Sequence, residues 1–143
     1  MAKALIAQME VWSKGGPLVQ RAAAAGLCEP ALLKKADEVR RVLLVLDHIT
    51  RSMAATRDRK HEGFRVLRQA MGYCWSVAAA ANPAAARPLF VKWLRSSDPD
   101  ISWVMKSNLG KARLKGFRKG VEESKVRTAK PKAKKPAKKK PAA

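Results

Sequence analysis

The 143-residue chain reads as all-α, with antiparallel helical hairpins stacked side by side and a disordered basic tail behind them. Three observations predict this. Apolar residues recur at i, i+3 and i+4 between stops written in glycine, proline and Asp-Pro. One helix-turn-helix unit returns after 82 residues, since laying the first copy on the second puts Pro17 on Pro99, Val19 on Ile101 and Leu27 on Leu109. Beyond residue 124 the chain holds almost only Lys, Arg, Ala and Pro. A pair of short helices cannot bury its apolar face alone, so such units must stack.

The elements follow in order. Residues 3–13 place Leu5, Ile6, Met9 and Trp12 on one helical face, with Lys3, Gln8 and Glu10 outside it. Gly15-Gly16 ends that helix, Pro17 occupies the first position of the next, and the run Ala22 to Ala25 favours helix and lets a neighbour approach closely. Glu29-Pro30 closes the hairpin. A longer helix over about 33–54 carries Leu33, Ala36, Val39, Val42, Leu43, Leu46, Ile49 and Met53, and Leu44 and Val45 widen its face, which predicts a central helix covered on two sides.

Its partner runs over 58–81 with Phe64, Leu67, Met71, Cys74, Trp75 and Ala78 in the buried stripe, weakened at Gly63 and Gly72. Asn82-Pro83 stops it and caps the next helix. Pro88 lies too deep for an unbroken helix from Pro83, so the regular part is expected to begin near Ala86. Leu89, Phe90, Trp93 and Leu94 form the next face, with Lys92 turned to solvent. Ser96-Ser97-Asp98-Pro99 then forces a turn, where Asp98 is placed to cap a helix that Pro99 opens. Ile101, Val104, Met105 and Leu109 face back onto the preceding helix. The hairpins are therefore 3–26, 33–81 and 84–113, and Gly116 to Glu123 adds at most a marginal helix.

The repeated residues carry a likeness. Pro17, Val19, Ala22, Ala23 and Leu27, and again Asp98, Pro99, Ile101 and Leu109, lie on a pattern that resembles the HEAT-repeat family, whose second helix opens Asp-Pro-x-Val-Arg and continues through small residues to Leu. The family's first-turn arginine is absent, with Gln20 and Ser102 in its places, although Arg21 follows in the first copy. The ending Trp103 to Leu114, with Asn108-Leu109-Gly110-Lys111-Ala112-Arg113, is similar to that of a group of small bacterial HEAT-repeat proteins. Roughly a third of the chain is covered. The resemblance implies an α-solenoid of about three repeats over residues 1–124.

Charge selects the class of partner. The net charge is +20; residues 125–143 hold nine Lys and Arg and no acid, and residues 1–124 hold 22 basic and 11 acidic residues. The tail cations are Lys125, Arg127, Lys130, Lys132, Lys134, Lys135, Lys138, Lys139 and Lys140. Such a segment cannot bury enough apolar surface to offset the entropy of ordering it, which predicts disorder. Its composition is similar to the tails of linker histones and of some bacterial histone-like proteins. If residues 57–68 are helical, Arg57, His61, Arg65 and Arg68 make one basic ridge, with Arg59 and Lys60 beside it.

Ridge and tail together suit phosphate contacts, and predict a non-enzymatic binding module for nucleic acid, DNA ahead of RNA, without sequence preference. A solvated helix face is the plain alternative for the ridge. The competing class is a protein scaffold whose repeat surface docks a partner and whose tail aids solubility or meets acidic proteins. Nothing in the chain looks like a recognition helix, a zinc finger or a base-stacking platform.

Catalysis finds no foothold in the motifs. The chain has no Gly-rich phosphate loop, metal-ligand spacing or nucleophile motif, and His48 and His61 are 13 apart, so neither a cofactor nor a metal is expected. Cys28 and Cys74, 46 apart, read as buried inert thiols. Trp12 and Trp93 occupy equivalent repeat positions, which predicts core packing for both. HEAT-like DNA glycosylases are a less favoured comparison, and only Trp103, beside Asp98 and Asp100, invites it. The apolar run around Leu5 and Ile6 is broken by Gln8 and Glu10, and no stretch is long enough for a membrane span, so a cytoplasmic protein, associated with the nucleoid if DNA is the ligand, is expected.

Overall fold

A computed structural model describes residues 2–123. The tail over 125–143, with all nine of its candidate phosphate contacts from Lys125 to Lys140, lies outside them. Helices fall between the stop signals: α1 (Ala2–Trp12), α2 (Pro17–Leu27), α3 (Ala36–Ala55), α4 (Glu62–Ala81), α5 (Pro83–Leu94), α6 (Pro99–Leu109) and α7 (115–123). Short 3-10 turns at Pro30–Leu32 and Ala112–Leu114 join them, and no strand occurs among the described residues.

Consecutive helices pack in pairs, α1 on α2, α3 on α4 and α5 on α6. The pairs also touch in rows, with α2, α4 and α6 in contact in that order and α1, α3 and α5 likewise. Both long helices are central: α4 packs against α2, α3, α5 and α6, and α3 against α1, α2, α4, α5 and α6, as the width of its apolar face predicts. Val45 is buried with that face, whereas its neighbour Leu44 is 61% exposed. On α4 the small residues Gly72, Cys74, Ser76, Ala78 and Ala79 are all buried, which lets helices close in from several directions.

Capping decides two boundaries. Asp98 Oδ1 accepts the amides of Asp100 at 3.0 Å and Ile101 at 3.4 Å, satisfying the first turn of α6 as its place before Pro99 predicts. Asn82 Oδ1 accepts the Ala85 amide at 3.2 Å with Pro83 at the first helical position, so α5 begins at Pro83 and not near Ala86. Pro88 sits inside that helix. Its missing N–H leaves the Ala84 carbonyl without the usual bond, but Ala84 and Pro88 are both exposed and water can take its place, while Ala86 and Phe90 on the opposite face are fully buried.

The core runs through aromatic contacts to the end of the described chain. Trp75 meets Phe90 edge to face with centroids 5.5 Å apart, and Phe90 meets Phe117 of α7 at 5.0 Å. Leu114, Phe117 and Val121 are buried at helical spacing, so the segment expected to be marginal closes the core beside α5. The Trp75 indole N–H donates to Thr50 Oγ1 at 3.0 Å, which leaves no buried polar atom of that ring unpaired. Cys28 and Cys74 are both buried as expected; a hydrogen bond between the two thiols, then burial, push the Cys28 pKa well up, which keeps it protonated and unreactive.

Repeat equivalence does not carry over to the tryptophans. Trp93 is partly buried and donates its indole N–H to Asp47 Oδ1 at 2.8 Å, whereas Trp12 is 40% exposed. Beside Trp12 the interior position goes to Ser13, whose carbonyl accepts from buried Gln20 at 2.9 Å. Lys92 lies at the surface as expected, and from there its ammonium reaches the buried carboxylate of Asp47 at 2.5 Å.

Candidate nucleic-acid interface

The expected ridge is divided by the start of α4. His61 is the N-cap residue of that helix and residues 56–61 are not helical, so Arg57, Arg59 and Lys60 lie in the connection from α3 and do not continue the stripe of Arg65 and Arg68. Arg57 and Lys60 are exposed. Arg65 is exposed too, 3.7 Å from Glu62.

Arg59 turns inward. Its Nε donates to the Thr56 carbonyl at 2.8 Å and its Nη2 to the carbonyls of Met53 and Ala54 at 3.1 and 3.2 Å, which satisfies the C-terminal end of α3. The same guanidinium donates to both oxygens of Asp98, at 2.8 and 2.7 Å, and to Asp100 at 2.9 Å. It therefore ties the end of α3 to the cap of α6. The Arg59 guanidinium, helped by the Asp100 and Ile101 amides, holds the Asp98 carboxyl below its usual pKa, and Asp98 in turn raises that of Arg59.

Arg68 is likewise engaged. Its Nε donates to Asp100 Oδ1 at 2.7 Å, and its guanidinium stacks 3.9 Å from the centroid of Trp103. Trp103 lies against the backbone of α4, because a Cβ on Gly72 would stand only 2.8 Å from its Cζ3. Asp100 and Trp103 thus join α6 to α4 through Arg68, while Asp98 joins it to the end of α3 through Arg59. Of the five folded residues expected to meet phosphate, Arg57, Lys60 and Arg65 face solvent, and Arg59 and Arg68 are spent on carboxylates.

Carboxylates elsewhere hold cations in the same way. Glu10 pairs with Arg41 at 2.7 Å and Asp37 with Arg40 at 2.8 Å, while Asp47 takes both Arg51 and Lys92. The pattern stops at α6. Residues 101–121 contain no acid at all, yet carry Lys106, Lys111, Arg113, Lys115, Arg118 and Lys119. Among the described residues none of these six forms an ion pair. Five are exposed; Arg118 is partly buried and donates to the Leu109 carbonyl at 2.8 Å.

This block occupies the end of α6, the 3-10 turn and α7, fixed to the core by Leu114, Phe117 and Val121. It is the folded cationic surface that a search for helical basic stripes passes over, because buried residues interrupt it in sequence. The available signal was the run of 21 residues without a carboxylate. Among the described residues no helix is long and apolar enough to cross a membrane. Comparison of the chain with protein-family models, curated proteins and solved structures finds no match.

Proposed function

We propose that the chain is a HEAT-like stack of three helical hairpins that serves as a non-enzymatic binding module for nucleic acid, DNA first, through phosphate contacts without sequence preference. A setting at the nucleoid goes with that ligand. The two rows of helices, α1–α3–α5 and α2–α4–α6, support the stacked-hairpin part. One observation carries the ligand. From Lys106 to Lys140 the chain holds fifteen cations, six before residue 120 and nine from residue 125 onward, against only Glu122 and Glu123.

An exposed cation with no internal partner gives up little on meeting a phosphate and gains the release of condensed counterions. Arg59 would first have to leave two carboxylates. The folded block accordingly positions the duplex and the tail adds charge along it, with no base edge being read.

A scaffold role has one observation in its favour, a largely apolar groove of about 340 Å³ between α3 and α5 lined by Arg40, Leu43, Leu44, Ala85, Pro88 and Leu89. Titration of random duplexes at several salt concentrations separates the two functions. Log affinity should fall linearly with log salt and be the same for unrelated sequences; if about five tail cations meet phosphates, removing residues 125–143 should make the slope shallower by about 4.5. Absence of binding at low salt would hand the function to the scaffold.

A further inference from the structure

Tyr73 is a large aromatic side chain that the fold leaves exposed. It stands on α4 at 44% exposure, while Met71, Cys74 and Trp75 around it are buried. The Arg113 guanidinium, from the turn that begins the cationic block, lies 5.6 Å from its ring centroid. On the side of α2 the ring borders a groove of about 270 Å³ whose other lining residues are Arg21, Val66, Gln69 and Ala70. Arg21 is exposed and makes no ion pair among the described residues. One exposed aromatic ring therefore carries a guanidinium on one side and borders a groove that a second guanidinium, from another element, and an amide side chain also line.

We propose that Tyr73 is a stacking platform for one unpaired nucleotide, with Arg21 and Arg113 receiving the phosphates on either side of it. The proposal rests on the phosphate-binding function above and refines its ligand. A base inside a duplex is already stacked on both faces and cannot lie on a side chain, whereas every unpaired base offers a free π-face. The arginines suit a strand that crosses the row α2, α4, α6, because phosphates flank each base and guanidinium groups pair with them bidentately. The chain then prefers single strands, gaps or frayed ends to an unbroken duplex.

The experiment compares an oligothymidine with an abasic strand of equal length, which has the same phosphates and no bases, using the full chain. Wild-type protein should bind the base-bearing strand about 5- to 150-fold more tightly. Tyr73→Ala should abolish that preference without changing affinity for the abasic strand, and Tyr73→Phe, which keeps the ring, should retain it. Arg113→Gln should weaken both strands alike. Equal binding of the two strands by the wild type, or a preference that survives Tyr73→Ala, overturns the platform while leaving salt-dependent phosphate binding in place. Failure to bind either strand overturns both.

Discussion

Replacing Asn108 by alanine removes the buried hydrogen bonds that join α4 to α6. The side chain is fully buried, its Oδ1 accepts the Ser76 amide at 2.8 Å, and its Nδ2 donates to the carbonyls of Met71 at 2.8 Å and Val104 at 2.7 Å. Three hydrogen bonds at about 1 kcal/mol each give a loss of about 3 kcal/mol, before any small cavity is added. For a domain of this size that corresponds to a fall in melting temperature of roughly 12 °C. Thermal and urea denaturation followed by far-ultraviolet circular dichroism measure it, with the urea slope unchanged. Asn108→Leu should be no better, since it restores volume but none of the bonds. A loss below about 1 kcal/mol for the alanine variant, or wild-type stability for the leucine variant, would refute the joint.

Three further outcomes are expected. Gly72→Ala should destabilise by about 1–3 kcal/mol because its Cβ would stand 2.8 Å from Trp103 Cζ3, and in a Trp103→Leu background the same change should become neutral or favourable, as a double-mutant cycle would read. Asp98→Ala should cost more than the roughly 0.5–2 kcal/mol of a lost cap, since it also strips Arg59 of a bidentate partner; denaturant titration alongside Ser97→Ala checks this. Asp98 has a lowered folded pKa, chiefly from Arg59, so its contribution is complete above the unfolded carboxylate value of about 4 and disappears as pH falls through the folded value. The stability advantage of wild type over Arg59→Met should thus be constant from neutrality to about pH 5 and shrink below about pH 4, and an advantage that grows in acid would contradict it.

Helices were legible where a local signal acts within one turn. Asp98-Pro99, Asn82-Pro83 and Gly15-Gly16-Pro17 set boundaries through caps and fixed φ angles, which depend on neighbours in sequence. The ridge was not legible, because its arginines share a spacing but not a fate: Arg59 and Arg68 are drawn to Asp98 and Asp100, 39 and 32 residues away, and no local pattern encodes that. Lys92 keeps its surface position, but its partner Asp47 is 45 residues distant and no local pattern encodes that pairing either. Trp12 shows that equivalence between repeats transmits a helix but not a burial, since cover depends on what packs alongside. The block from Lys106 to Lys119 needed only a count of missing acids, yet its cohesion comes from Leu114, Phe117 and Val121, which seat the segment on the core.

The salt dependence of duplex binding by a block-neutralised full chain bears most directly on function. Lys111, Lys115 and Lys119 are exposed and unpaired among the described residues, so changing all three to Gln should leave melting unaltered and make the slope of log affinity against log salt shallower by about 2.7, at about 0.9 per phosphate contact. Arg40→Gln, which removes an exposed cation already paired with Asp37, should leave the slope where it was. An unchanged slope in the triple variant would mean that the cationic block does not meet phosphate, and would contradict the proposed function of this fold.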